Sequence, residues 1–195
     1  MKPNVFIFHG TGGDPQENWF PWLKGKLEAK GYTTFVFVPQ FPTPEGQSVE
    51  AWMHVLKGYQ EHINENTIFI GHSLGGVFLL HLLPKLPCKV KAVFLVGTPI
   101  GILPIKNFEQ DKAFGGFDFR WKEIKQKADT FVVFHSDNDP YVGLENGREL
   151  AKHLGVELSF VPHAGHFNAK AGYVTFEELW EKLKPMLESS RSTTA

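Results

Sequence analysis

The chain has 195 residues, of which 42% are hydrophobic, and this length is typical of one domain with a core of normal depth. Its 20 basic and 21 acidic residues leave a formal charge of -1 without runs of like charge, so neither a nucleic acid nor a membrane surface is the expected partner. We predict a small-molecule ligand and leave any protein partner open. The single cysteine, Cys88, excludes an internal disulfide, and the apolar run near the start is too short for a signal peptide. A cytoplasmic location is therefore the simplest expectation.

Six short apolar runs rich in Val, Ile and Phe predict buried strands. They cover residues 5–8, 34–38, 67–70, 92–96, 130–135 and 157–161. Helical patterns alternate with most of them, in the segments that contain Trp19 to Leu27, Val49 to Ile63 and the nearly all-apolar stretch 74–83. Parallel strands need crossover connections, so this alternation predicts an α/β fold with a three-layer, doubly wound, mainly parallel sheet of about six strands.

Two segments depart from the alternation. Residues 99–121 contain glycines, Pro104 and five aromatic side chains but little periodicity, and we predict a loop insertion over one end of the sheet. Residues 189–195 are small and polar, which predicts a flexible tail after a single domain of residues 1–188. Between them the last helix carries a start signal, with Thr175 and Glu178 spaced as a capping box.

Glycine-rich or polar stretches follow four of the predicted strands, where the ligand crevice of a doubly wound sheet lies. They are His9-Gly10-Thr11-Gly12-Gly13, Gly71-His72-Ser73-Leu74-Gly75, Ser136-Asp137-Asn138-Asp139-Pro140 and Pro162-His163-Ala164-Gly165-His166. All four are expected to face one crevice.

The stretch Gly71-x-Ser73-x-Gly75 has the spacing of a nucleophile elbow, in which a serine lies on a strained turn between a strand and a helix. The pattern is short, and a small residue at an ordinary tight turn would also satisfy it. Its context favours chemistry, because an acid and then a histidine follow in the order Ser, Asp, His that α/β-hydrolases use. Ser73 is therefore the predicted nucleophile.

A serine hydroxyl needs a base within reach and a group that orients the base. His166 is the predicted base, and His163 is its rival; the H-x-x-H spacing of the two lacks the acidic or cysteine cluster of a metal site, so we predict neither metal nor cofactor. Asp139 is the preferred acid, although loop chemistry leaves Asp137 open. Asp137 has an alternative role in an Asx turn that shapes the loop.

The loop after the first strand is the predicted oxyanion loop. It lacks the Lys-Ser/Thr of a P-loop, and its glycines do not fit G-x-G-x-x-G. The backbone N–H groups of Thr11 and Leu74 are the predicted oxyanion donors. We assign packing roles to His9 and His72.

Beyond these motifs the sequence resembles the small α/β-hydrolases similar to retinoblastoma-binding protein nine and to the bacterial YdeN-type proteins. The resemblance is carried by Gly-His-Ser-x-Gly, Asn18-Trp19-Phe20-Pro21-Trp22-Leu23-Lys24, Trp121-Lys122-Glu123-Ile124-Lys125, Asp139-Pro140 and Gly165-His166-Phe167. It implies an α/β-hydrolase fold without a large cap domain and a catalytic triad of Ser73, Asp139 and His166. The glycine-rich segment 113–116 departs from the family pattern.

These features together predict a serine esterase that acts on small or medium acyl esters through an acyl-enzyme at Ser73. Four aromatic residues, Trp19, Trp22, Phe114 and Phe117, are predicted to line an apolar substrate pocket; alternatively, they shield the sheet edge. Competing hypotheses are a thioesterase or peptidase with the same triad, or a non-catalytic binding or scaffold protein on the same fold.

Overall fold

A computed structural model describes residues 2–29 and 31–188, and its described strands form one parallel sheet in the order β2-β1-β3-β4-β5-β6. The strands are β1 (Val5–Phe8), β2 (Val36–Phe37), β3 (Ile68–His72), β4 (Val90–Val96), β5 (Ala128–His135) and β6 (Leu158–Phe160). The predicted doubly wound α/β fold is confirmed. The two edge strands, β2 and β6, are shorter than predicted.

The helices that connect the strands are α1 (Phe20–Ala29), α2 (Val49–Leu56), α3 (Leu74–Leu82), α4 (Phe108–Gly115), α5 (Trp121–Lys125), α6 (Leu144–Leu154) and α7 (Glu177–Glu188). A 3-10 turn (Lys57–His62) continues α2 to the end of the segment predicted as one helix. The helices lie on both faces of the sheet, as the crossover connections require.

Alternate residues of each strand enter two separate cores. In β1, Phe6 and Phe8 pack on the face that α2, α3 and α6 cover, whereas Val5 and Ile7 pack on the face of α1 and α7. All four side chains are fully buried. The continuous apolar runs therefore reflect a sheet that is buried on both faces.

The order of the strands reverses between β1 and β3, which are neighbours in the sheet. At such a switch point the connections leave toward opposite faces and open a crevice beyond the carboxyl ends of the strands. The loop after β1 and the turn after β3 therefore meet at this crevice.

The prediction that residues 99–121 form a loop insertion is wrong in one respect, because α4 lies within it. The helix is short and buries only Asp111 and Phe114. One of these buried positions is charged, so the segment has no apolar period from which a helix could be predicted.

The capping box predicted at Thr175 is also wrong. Helix α7 begins at Glu177, and within the described ranges no hydrogen bond joins Thr175 to Glu178. None of the helices in residues 2–29 and 31–188 is long and apolar enough to cross a membrane. The predicted tail, 189–195, lies outside the described residues.

Candidate active site

Ser73 lies on a strained turn between β3 and α3. Its φ of 54° and ψ of -120° are rare for a residue with a side chain. The turn is held from both sides, since the Ser73 N–H donates to the Val96 carbonyl (2.8 Å) and the Gly76 N–H donates to the Ser73 carbonyl (2.9 Å). Surrounding structure thus stabilises a backbone conformation that costs free energy on its own.

Glycines make this turn possible by leaving room for backbone. A Cβ atom at Gly71 would lie 2.7 Å from the backbone of Gly75, and one at Gly75 would lie 2.7 Å from the His9 carbonyl oxygen. A Cβ at Gly10 would lie 2.8 Å from the Cβ of Ser73. The loop after β1 therefore contacts the serine directly.

His166 and Asp139 form a close buried pair. Nδ1 of His166 lies 2.7 Å from Oδ2 of Asp139, whose other oxygen accepts from the backbone N–H groups of Tyr141 (2.8 Å) and Val142 (3.0 Å). Burial acts to raise the pKa of Asp139, but these hydrogen bonds and the charge of His166 outweigh it and lower the pKa below its ordinary value. Asp139 is thus a carboxylate that accepts the Nδ1–H of His166, which leaves Nε2 of a neutral ring free to accept a proton.

Two aromatic rings hold the imidazole of His166 in place. The rings of His72 and Tyr141 lie 4.8 Å and 4.9 Å from it, centroid to centroid. Nε2–H of His72 also donates to the backbone carbonyl of His166 at 2.8 Å. Burial, together with the charge of His166, lowers the pKa of His72 to about 3, so His72 stays neutral in this role.

The rival residues Asp137 and His163 lie apart from this pair. Oδ1 of Asp137 accepts from the backbone N–H of His163 at 2.8 Å, and the side chain of His163 is 82% exposed. Asp137 thus shapes the loop, the alternative role that the sequence allowed it. The two histidines of the H-x-x-H spacing have different carboxylate partners.

Ser73, His166 and Thr11 line one cavity of about 560 Å³. Within the described part of the chain, no hydrogen bond joins the Ser73 hydroxyl to His166. Hydrogen bonds between catalytic groups are often long in unliganded enzymes and shorten when substrate binds. The arrangement therefore brings a serine hydroxyl and an acid-oriented imidazole to the same cavity.

The predicted oxyanion donors flank the serine. Thr11 is in the cavity wall, whereas Leu74 is buried and is not among the described lining residues. Leu74 is the first residue of α3, so its N–H has no acceptor within the helix. Among residues 2–29 and 31–188, neither N–H has a backbone acceptor.

The predicted substrate pocket is wrong, because none of its four aromatic residues is among the described lining residues of the cavity. Trp19 is fully buried and its indole N–H donates to the Phe167 carbonyl at 3.0 Å. Phe114 packs edge-on against Trp52 in the core at 4.8 Å between centroids. Large apolar side chains gain more from the core than from a solvent-filled cavity, which explains these positions.

The other two aromatic residues contact neighbours on the protein surface. Trp22 lies under the ammonium group of Lys26 at 4.5 Å, and Phe117 stacks on Phe108 at 5.8 Å. The cavity is instead lined largely by polar residues that sequence reasoning did not assign to it, chiefly Gln16, Asn18, Asn107, Asp111, Tyr141 and Asn168.

Asp111 is the most important lining residue that the sequence prediction missed, because it is a charged group buried at the cavity. It lies on α4, is only 5% exposed, and accepts one long hydrogen bond (3.4 Å) from the hydroxyl of Thr11. Burial raises the pKa of its carboxyl to about 6, against the opposing effects of the Thr11 hydrogen bond and the charge of His166. Residues 99–121 have little periodicity and were predicted as a loop, so the sequence did not indicate that Asp111 would be buried.

Two further buried histidines, His9 and His135, stabilise loops of the site through hydrogen bonds. Nε2 of His9 accepts from the Phe41 N–H (3.0 Å), so its Nδ1–H donates to the Gly10 carbonyl (2.9 Å) and fixes the loop after β1. Nε2–H of His135 donates to the Val142 carbonyl at 3.0 Å, 4.0 Å from the Asp139 carboxylate. Burial lowers the pKa of both histidines, so they act as neutral hydrogen-bonding groups.

Comparisons with known proteins identify the family and the fold of the chain. The family model described as Serine hydrolase matches residues 5–185. The chain is 29% identical over 185 residues to YdeN of Bacillus subtilis (strain 168), covering 94% of this chain and 95% of YdeN. It is 27% identical over 187 residues to Serine hydrolase RBBP9 of Rattus norvegicus, covering 94% of each. The crystal structure of the B. subtilis ydeN gene product superposes with a TM-score of 0.87 at 28% identity, over 96% of this chain and 100% of that one. The resemblance and the α/β-hydrolase fold predicted from the sequence are confirmed, and the chain belongs to the serine hydrolase family.

Proposed function

We propose that this serine hydrolase is a carboxylesterase for small or medium acyl esters, with Ser73 as nucleophile, His166 as general base and Asp139 as orienting acid. The observation that carries the proposal is the 2.7 Å bond from His166 Nδ1 to the buried Asp139, in the cavity that Ser73 also lines. This bond sets the tautomer that a general base for Ser73 requires.

The proposed reaction proceeds through an acyl-enzyme. Nε2 of His166 removes the Ser73 proton as the hydroxyl oxygen attacks the ester carbonyl carbon, and the N–H groups of Thr11 and Leu74 bind the resulting oxyanion. His166 then gives the proton to the leaving alcohol. Water, deprotonated by the same imidazole, attacks the acyl carbon; the bond to the Ser73 oxygen breaks, His166 returns the proton to that oxygen, and the acid is released.

The strained Ser73 turn supports catalysis over a scaffold role. A positive φ on a residue with a side chain costs about 1–3 kcal/mol, and folds retain such strain where it has a use. In an elbow, the strain exposes the serine oxygen and presents the next backbone N–H to the same space. The position of Ser73 between β3 and α3, beside the cavity, therefore supports a catalytic use of the turn.

Labelling with a fluorophosphonate tests for an activated serine. The protein should become labelled, and Ser73→Ala should abolish labelling. Ser159→Ala is the matched control, since Ser159 lies in the edge strand β6 and is not among the described lining residues of the cavity; it should keep the label. Folded protein that remains unlabelled, or label that persists in Ser73→Ala, contradicts the proposal.

The ester assignment requires a second measurement. Rates should be compared for p-nitrophenyl esters of two to eight carbons, acyl-CoA thioesters of the same lengths and peptide p-nitroanilides. Turnover of esters at least tenfold above the other classes is the expected result. Preferential turnover of thioesters or amides would keep the triad but refute the carboxylesterase.

A further inference from the structure

Asp111 is a buried charged group that the proposed mechanism does not use. It lines the cavity shared by Ser73 and His166 and is only 5% exposed. Two other charged residues, Glu17 and Lys170, also line the cavity, but both are exposed to solvent, which screens their charges. Among the described lining residues, Asp111 is therefore the buried carboxyl group that a bound molecule would meet.

The hydrogen bonds of Asp111 are incomplete. A carboxylate can accept about four hydrogen bonds, whereas Asp111 accepts one from Thr11 at 3.4 Å. Within the described ranges, no Lys, Arg or His side chain forms an ion pair with it. Burying a carboxylate with a single long hydrogen bond is unfavourable, and burial raises its pKa to about 6.

A purely structural role does not explain the charge. Holding the Thr11 hydroxyl requires only an acceptor oxygen, which the amide of an asparagine would supply without the cost of burying an ionised group. At neutral pH a carboxyl with a pKa of about 6 is still mostly ionised. The cavity thus presents an anionic acceptor that forms no ion pair with the side chains in the described ranges.

We propose that Asp111 is a specificity-determining residue that binds a protonated amine of the substrate. This inference rests on the proposed ester hydrolase function and adds a substrate class: esters in which the acyl or alcohol part carries an ammonium group. Such a group would supply both the missing donors and the opposite charge. Esters with an anionic group in the same position are expected to be excluded.

Boronic acids test the inference because they add to an activated serine as tetrahedral adducts. The (aminomethyl)phenylboronic acids carry CH₂NH₃⁺, and the ethylphenylboronic acids carry a CH₂CH₃ group of similar shape without charge. Inhibition of p-nitrophenyl acetate hydrolysis should be measured for the meta and para isomers of each, in which the side group cannot reach its own boron atom. We expect the wild-type protein to bind the ammonium compound at least about tenfold more tightly at one or more positions.

Two variants assign this preference to Asp111. In Asp111→Asn the preference, taken as the ratio of the two inhibition constants measured in the same variant, should fall to within about twofold. Glu109→Gln is the matched control, because it removes one carboxylate from the same helix at an exposed position outside the cavity, and it should keep the full preference.

Each outcome distinguishes the two proposals. Wild-type protein that hydrolyses p-nitrophenyl acetate but shows no ammonium preference at any ring position refutes the role of Asp111 and leaves the esterase standing. A preference that survives in Asp111→Asn refutes it equally. Protein that neither hydrolyses esters nor binds any boronic acid refutes the proposed function, and the role of Asp111 with it. The wild-type comparison does not depend on the variants folding.

Discussion

The two walls of the cavity are built in different ways. On one wall, Ser73 follows strand β3 and His166 lies in the loop after β6; a backbone hydrogen bond to Val96 holds the first, and the Asp139 carboxylate holds the second. On the other wall, Asp111 belongs to a short helix in the insertion between β4 and α5, and a single long hydrogen bond from Thr11 joins its side chain to the first wall.

We infer that this difference separates the proposed chemistry from the proposed recognition of substrate. Acyl transfer requires that its groups be held within a fraction of an ångström, and the carboxyl edge of a parallel sheet supplies that rigidity. Recognition of a substrate group requires only a suitable charge at a suitable depth, which an insertion can supply without altering the sheet. The two walls should therefore respond differently to mutation, and the following predictions compare them.

Removing the proposed base should give the largest effect. His166→Ala should lower kcat for p-nitrophenyl acetate by roughly 10⁴–10⁶-fold, because the members of a triad act as a unit. His163→Ala is the control: its side chain is 82% exposed, and activity should change by less than about threefold. Inactivation by His163→Ala instead would show that the base is misassigned.

Substitution of the proposed orienting acid, Asp139, should have the second-largest effect on kcat. In Asp139→Asn the amide oxygen can still accept from Tyr141 and Val142, which turns the NH₂ group toward His166 Nδ1. The imidazole proton then moves to Nε2, the atom that must accept the Ser73 proton, and kcat should fall roughly 10⁴-fold. Asp137→Asn keeps an acceptor oxygen for the His163 N–H and should remain within about threefold of wild type. Equal losses in both variants would refute the assignment.

Sequence reasoning succeeded where the backbone imposes a pattern. The apolar run 5–8 matches β1 residue for residue, and the G-x-S-x-G spacing predicted the strand-turn-helix around Ser73. Edge strands were overestimated: residues 34–38 yield only Val36–Phe37, since a strand with one neighbour is held by fewer hydrogen bonds.

Recognition residues could not be predicted in the same way. Nothing in the local sequence around Asp111 indicates that an aspartate will be buried, because its burial depends on packing against the loop of Thr11, 100 residues away along the chain. The prediction for the aromatic residues failed in the opposite direction: Trp19 and Phe114 were predicted to line a pocket, but they lie in the core. Side-chain type predicts burial on average, and the functional residue is the exception to that average.

Crowding Ser73 should have a smaller effect on kcat than removing a member of the proposed triad. In Gly10→Ala the new methyl would lie 2.8 Å from the Ser73 Cβ, so the serine or the oxyanion loop must shift. A displacement of this kind should lower kcat about 100-fold with little change in Tm. Gly25→Ala is the control, because nothing lies within 4 Å of its Cβ position in α1; it should leave activity unchanged and stabilise the fold by about 0.5–1 kcal/mol. Full activity in Gly10→Ala would mean that the contact does not constrain Ser73.

The smallest effect should come from the other wall, and it concerns stability rather than rate. The carboxyl of Asp111 has a pKa of about 6 in the folded protein against an ordinary value of 3.8, so the folded state binds the proton more tightly than the unfolded state. Stability should therefore fall as pH rises from about 4 to about 6, and the loss should be complete above that range. Asp111→Asn removes this titration. At pH 8 the variant should be more stable than the wild type by about 1–2 kcal/mol, which is less than the roughly 3 kcal/mol of the full pKa shift because the cavity admits water. At pH 4 the two proteins should be nearly equal in stability. Urea unfolding of both proteins at the two pH values measures the difference. A variant that is less stable than wild type at pH 8 would show that the carboxylate is satisfied within the protein, and that the cavity has no need of a cation to complete it.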